Sequence, residues 1–267
     1  MSWIKARRRH PAAGYAVVLL GLVVIGLGYA AVAGTSSPAY AAPRGGPSAV
    51  DIAKGAALFR VTCASCHGID AQGTSAGPGL IGAGAAAVDF QVSTGRMPGK
   101  DIGAEMPRRP VEFTTAQIHQ LADYVASLGG GPAIPSAAQV SPVGANLALG
   151  QSLFITDCAQ CHNFSGAGGA LTYGKYAPSL DQATPTQMYE AMLTGPEAMP
   201  VFSDTTLTPA LKRDIIGYVT AVRAEPNPGG ASLGRIGPVT EGIVAFLGGI
   251  AILVFFAMWL TMRRREV

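Results

Sequence analysis

The chain has 267 residues, 49% of them hydrophobic and only 13% charged, a balance that points towards a protein with membrane segments. Its net charge of +3 sits at the tips, on Lys5, Arg7, Arg8 and Arg9 at one end and Arg263, Arg264 and Arg265 at the other. Between Thr35 and Thr240 twelve Lys/Arg face fourteen Asp/Glu, so the body is slightly acidic and nothing in it suggests nucleic-acid binding.

Residues 12–33 form a run of twenty-two without a charge. At about 1.5 Å per helical residue that is enough to cross a hydrocarbon core of about 30 Å. The basic residues before it place the N-terminus in the cytoplasm. Ala39-Tyr40-Ala41 has the small-x-small form of a processing site, so a cleaved signal peptide is the rival reading. The apolar run exceeds a signal core of about 7–15 residues, which favours a retained span over 1–34. A small, proline-containing linker, 35–48, follows.

The first domain is expected over 49–131. Ile52, Ala56, Leu58 and Phe59 suit an amphipathic helix running into Cys63-Ala64-Ser65-Cys66-His67. Two cysteines three positions apart followed at once by histidine are the attachment signature of a c-type haem. The thiols bond to the porphyrin, and the histidine lies under the iron as its proximal ligand. A glycine-rich stretch to Gly84 has no regular element. Thr114-x-x-Gln117 reads as a capping box opening a helix with Ile118, Leu121, Ala122, Val125 and Leu128 on its buried face, stopped by Gly129-Gly130-Gly131-Pro132.

After a linker, 132–143, the pattern repeats over 144–225. Gly150 to Phe154 precedes Cys158-Ala159-Gln160-Cys161-His162 as Gly55 to Phe59 precedes the first motif. Ala177-Pro178-Ser179-Leu180 answers Gly77-Pro78-Gly79-Leu80, and Tyr218-Val219 answers Tyr124-Val125. Thr208 as N-cap with Pro209 behind it starts a closing helix with Leu211, Ile215, Ile216, Val219 and Val222 buried. The offset is 95 residues between first cysteines and 94 between tyrosines, so the chain carries a duplicated unit. A third linker, 226–240, leads to twenty-one uncharged residues, Gly242 to Met262, within a C-terminal segment 241–267 whose arginines anchor that end in the cytoplasm. Two spans with both ends inside put both motifs outside the cytoplasm.

The four cysteines are all in the two motifs. Haem attachment is extracytoplasmic in bacteria, which agrees with that topology. Disulfide pairing, the usual fate of exported cysteines, would leave both histidines unexplained. A zinc ribbon would need its cysteine pairs about 15–20 residues apart, whereas 91 residues separate Cys66 from Cys158.

A closed electron-transfer haem takes a sixth ligand, and methionine sulfur raises its potential. Met199-Pro200 fits that role in the second unit, while Met188 and Met192 fall on a preceding helix as core filling. In the first unit Met97-Pro98 and Met106-Pro107 share the form. Met97 lies nineteen residues after Pro78, close to the twenty-one between Pro178 and Met199, and follows Thr94-Gly95-Arg96 much as Met199 follows Thr194-Gly195-Pro196; Met106 lies twenty-eight after. Met97 is therefore favoured. Arg96, Lys175, Tyr173 and Tyr176 are candidates for pairing with haem propionates. The carbonyls of Pro78 and Pro178 are candidates for fixing the histidine tautomers. His119 reads as a surface histidine on its helix.

The whole arrangement resembles the dihaem cytochrome c subunit of the actinobacterial cytochrome bcc complex, a menaquinol-oxidising complex coupled directly to an aa3-type oxidase. The resemblance rests on Phe90 to Pro98, Leu153 to Phe164, Gly168 to Leu171 with Gly174 to Pro178, and Ala191 to Pro196, in addition to the haem motifs. It implies a mainly α fold of two tandem class I cytochrome c domains flanked by transmembrane helices. It implies two covalently bound haem c groups on Cys63, Cys66, Cys158 and Cys161, with iron held by His67 and Met97 and by His162 and Met199. Met106 departs from the family pattern.

The function it implies is a relay in a quinol:cytochrome c reductase, with electrons passing from a Rieske iron–sulfur subunit to the oxidase beside a cytochrome b subunit, in a dimeric supercomplex. An anchored cytochrome subunit of another dehydrogenase or oxidase uses the same chemistry. A dihaem peroxidase would need one iron that opens a coordination site.

Overall fold

Gly55 and Gly150 set the two helix crossings on which the chain is built. The computed structural model describes residues 19–24, 27, 46–103, 105–225 and 238–263. Helix α1, Ala49–Thr62, is capped by the Ser48 hydroxyl accepting from the Asp51 amide and packs across α4, Thr115–Ser127. A Cβ on Gly55 would stand 1.9 Å from the Gln120 carbonyl oxygen, so only glycine lets the two backbones approach this closely. One turn on, Phe59 and Tyr124 pack with their rings tilted at 55° and centroids 5.3 Å apart. Such a pair is worth about 0.5–1.5 kcal/mol beyond its burial.

The second half repeats this construction. Helix α6, Leu147–Asp157, crosses α9, Pro209–Ala224. A Cβ on Gly150 would stand 2.1 Å from the Asp214 carbonyl oxygen, and Phe154 and Tyr218 pack as a tilted pair with centroids 5.5 Å apart. The predicted caps are present: Thr114 and Gln117 form a capping box on α4, and Thr208 caps α9 with Pro209 in its first turn.

Between each pair of crossed helices runs a short helix carrying the cysteine motif, α2, Ala64–His67, and α7, Ala159–His162. A further helix follows in each half, α3, Gly84–Ser93, and α8, Pro185–Thr194. The first of these is not legible in the sequence, because three consecutive alanines, Ala85 to Ala87, blur its apolar period in a glycine-rich setting. Within the segment read as a linker, α5, Ala137–Val140, forms a single turn whose Val140 is buried in the second core. The second half adds a two-stranded antiparallel hairpin, β1, Gly169–Ala170, and β2, Tyr176–Ala177, with Gly169 opposite Ala177.

Each half has its own core. Phe59, Val92, Ile118, Leu121 and Val125 centre the first, and Phe154, Met188, Met192, Ile215, Ile216 and Val219 the second. Met188 and Met192 are core residues, as their place on a helix predicted. The sequence did not announce Lys212, which is fully buried; its Nζ donates to Asp204 at 2.6 Å and to the Leu207 carbonyl at 3.0 Å, and lies 5.2 Å from the Tyr189 ring centre.

The halves meet along α3 and α8 within one compact unit, Pro43–Val267. Gln187 knits the contact: its Nε2 donates to Ser93 Oγ at 3.1 Å, and its Oε1 accepts from Arg108 at 2.7 Å. Arg108 also donates to the Gln182 carbonyl at 2.9 Å, Glu105 accepts from the Tyr176 amide at 3.0 Å, and Glu197 accepts from the Met106 amide at 2.8 Å.

The last helix, α10, Pro238–Arg263, contains Gly242–Met262, twenty-one residues of mean hydropathy 2.6 whose side chains are exposed. It is the one helix among the described residues long and apolar enough to cross a membrane. Of the run expected to span at the N-terminus, residues 19–24 are helical; most of the remainder lies outside the described residues.

Candidate cofactor sites

Each cysteine motif is a single helical turn closed onto its own first residue. The amides of Cys66 and His67 donate to the Cys63 carbonyl at 3.2 and 3.0 Å; those of Cys161 and His162 donate to the Cys158 carbonyl at 3.1 and 2.9 Å. All four thiols are free, with the first of each pair half-buried and the second exposed. Burial pushes the Cys63 thiol above its ordinary pKa and the Cys158 thiol up to about 12, the latter helped by the charge of Asp157.

The loop after each motif returns to hold the histidine. His67 Nδ1 is 2.8 Å from the Pro78 carbonyl oxygen, and His162 Nδ1 is 3.0 Å from that of Pro178. A carbonyl only accepts, so the hydrogen sits on Nδ1 and the Nε2 lone pair is left for a metal. Burial lowers the His162 pKa against the opposing pull of that hydrogen bond, which favours the neutral, ligating form. Gly77 permits the return in the first half, since a Cβ there would press on the Cys66 carbonyl oxygen at 3.0 Å and on His67 Nδ1 at 3.2 Å.

Beside each motif lies a largely apolar cavity, and the two match position by position. Phe59, Cys63, Cys66, His67, Pro78, Leu80, Met97, Pro98, Leu121 and Val125 line the first; Phe154, Cys158, Cys161, His162, Pro178, Leu180, Met199, Pro200, Ile215 and Val219 line the second. The first holds about 1030 Å³. The second is narrower, about 180 Å³, and also receives Met188 and Met192.

The methionine loops begin alike. Thr94 and Thr194 bond their hydroxyls back to the carbonyls of Phe90 and Glu190 at 2.6 and 2.7 Å, and Gly95 and Gly195 follow with positive φ, 66° and 58°. That left-handed turn, which glycine adopts without strain, ends each helix and starts the chain towards its methionine. Met106 lines the first cavity as well, so both methionines singled out in the sequence lie there.

Of the four residues considered as partners for propionates, Arg96 and Tyr176 line the second cavity; Tyr173 is 98% exposed, and neither it nor Lys175 is part of either wall. His119 is only partly exposed, with Nε2 3.8 Å from Asp89, rather than a free surface residue.

The donor set fits haem c. Each cavity offers two unbridged thiols one helical turn apart, a histidine with its Nδ1 hydrogen bonded, a thioether and an apolar lining. Among the described residues no cluster of three or more His, Cys, Asp or Glu could hold a bare metal ion instead.

Two helical units, each folding a C-x-x-C-H turn over an apolar cavity, define a protein with tandem c-type cytochrome domains. The known families agree: residues 52–129 match the family Cytochrome c, and residues 145–219 match Cytochrome C oxidase, cbb3-type, subunit III. Such domains imply covalently bound haem c, and two domains are consistent with two haems.

The chain is 43% identical to the cytochrome bc1 complex cytochrome c subunit of Corynebacterium diphtheriae, over 97% of its own length and 98% of that protein. It is 44% identical to the protein of that name from Mycobacterium leprae, over 92% and 86% of the two chains, and 43% identical to the one from Mycobacterium tuberculosis, over 97% and 94%. The chain belongs to the family of cytochrome bc1 complex cytochrome c subunits. A cbb3-type cytochrome c oxidase subunit of Rhizobium leguminosarum is 32% identical over 45% of the chain, a likeness limited to part of its length.

Proposed function

We propose that the chain is an electron relay anchored by two membrane spans, residues 1–34 and 241–267, with both termini in the cytoplasm and the domains 49–131 and 144–225 outside it. Bound haem c supplies a one-electron couple at each domain, and the relay runs from a Rieske iron–sulfur subunit, through the first and second sites, to an aa3-type oxidase. Cys63, Cys66 and His67 with Met97 hold the first group, and Cys158, Cys161 and His162 with Met199 hold the second. The remaining assembly is a cytochrome b subunit in a dimeric supercomplex.

The observation that carries this reading is the residue-for-residue duplication of the cavity in a chain of this family. Met97-Pro98 stands in the wall of the first cavity where Met199-Pro200 stands in the second, which favours Met97 over Met106. The protein supplies attachment, a fixed histidine tautomer, a methionine as sixth ligand and an apolar shell around the group. The linkers and spans hold donor and acceptor at high effective concentration.

Extraction of the tagged chain in mild detergent tests the reading. Co-purification of b-type haem and a Rieske iron–sulfur signal is expected. Intact preparations containing neither would sink it.

A further inference from the structure

Neighbouring residues of the first half face different cavities. Gln91, Met97 and Met106 line the first, while Phe90, Arg96 and Glu105, each the residue just before, line the second. At these three places the wall between the two sites is one chain thick, and the first half supplies it. Arg108 reaches the second cavity from the same segment.

Arg96 is 8% exposed, lies 5.0 Å above the Phe90 ring, and has its Nε 3.8 Å from Glu197. Burial lowers its pKa and Glu197 opposes the shift; a guanidinium stays charged in either case. Arg108 is held by the Gln182 carbonyl and Gln187. The acids at the same cavity are Glu105, Asp157 and Glu197. Two of these already accept backbone hydrogens, Glu105 from Tyr176 and Glu197 from Met106. A guanidinium carries five donors in a planar fork suited to a carboxylate, and a buried one needs anionic partners.

Resting on the assignment of a haem to Cys158, Cys161 and His162, we infer that Arg96 and Arg108 of the first half are positioning residues of the second haem site. They present their fork to the propionates of that haem and raise its potential, because fixed positive charge favours the reduced state. The second site is incomplete without the first half. The residue that follows Arg96 in the chain is the candidate ligand of the other haem, so one short segment serves both centres.

Potentiometric titration of the full dihaem chain tests this. Met199→His marks the second haem by moving its wave to lower potential, since a second histidine lowers the potential relative to methionine. Arg96→Gln, and separately Arg108→Gln, then shift that same wave downwards, while Arg96→Lys keeps most of the wild-type value. Two haems per chain, counted as haemochrome, confirm that the variants are loaded. The inference is overturned if the marked wave stays in place in both glutamine variants, or if Arg96→Lys moves it as far as Arg96→Gln. If Met199→His moves neither wave, the ligand assignment beneath the inference fails instead, and the inference with it.

Discussion

Gly55→Ala tests the packing on which the first site depends. The added Cβ would stand 1.9 Å from the Gln120 carbonyl oxygen and 2.9 Å from the Tyr124 Cβ. Ordinary contact begins at 3.4 Å, so α1 and α4 must part by about 1.5 Å, and the obstacle is backbone that no rotamer change can move. Overpacking of this kind costs about 3 kcal/mol, the upper part of its usual range. Loosening the Phe59–Tyr124 pair adds about 1 kcal/mol, and replacing a helical glycine by alanine returns about 1 kcal/mol. The net loss of about 3 kcal/mol corresponds to a fall in melting temperature of roughly 12–24 °C for a domain of this size. Thermal unfolding followed by circular dichroism in the haem band measures it, with Gly46→Ala as the control because nothing lies within 4 Å of that position. A Gly55→Ala protein melting within a few degrees of wild type would refute the argument. Gly150→Ala, facing the Asp214 carbonyl at 2.1 Å, should behave the same way in the second half.

Met97→Leu should abolish the methionine–iron charge-transfer band of one haem and open that iron to carbon monoxide, whereas Met106→Leu should leave the spectrum intact; absorption spectra with and without the gas decide between them. Lys212→Ala removes a buried ammonium from the Leu207 carbonyl and from Asp204, a carboxylate that is itself about half-exposed, and should cost about 1–3 kcal/mol in denaturant titrations. Lys212→Met, which keeps the volume, should cost less. A chain ended at Glu225 lacks the helix of mean hydropathy 2.6; the proposed span over 1–34 predicts that it still sediments with membranes, and recovery of that chain in the soluble fraction would count against two spans.

What the sequence made legible is local. The cap at Thr208 and the capping box at Thr114 are each written within a few residues and each is present as read, and the two C-x-x-C-H motifs each fold into one helical turn. The duplication exposed long-range geometry too, because Gly55 with Phe59 and Tyr124 had to serve the same purpose as Gly150 with Phe154 and Tyr218.

The rest depended on where the halves meet. Nothing in the sequence singles out Gln187; only the packing of α8 on α3 makes it the partner of both Ser93 and Arg108. Arg96 stands next to Met97 in the sequence, but its side chain lines the cavity of the other half. Helix α3 was hidden by its alanines, and the buried Lys212 by a charge that normally marks a solvated face.

Quinol-driven oxygen uptake by native membranes tests the central claim of a two-site relay most directly when the second site alone is removed, as in a Cys158→Ser/Cys161→Ser chain. The relay predicts that quinol still reduces the remaining c-type haem while oxygen uptake through this route stops. Oxygen uptake at the wild-type rate, with the first haem alone present in an assembled complex, would contradict it.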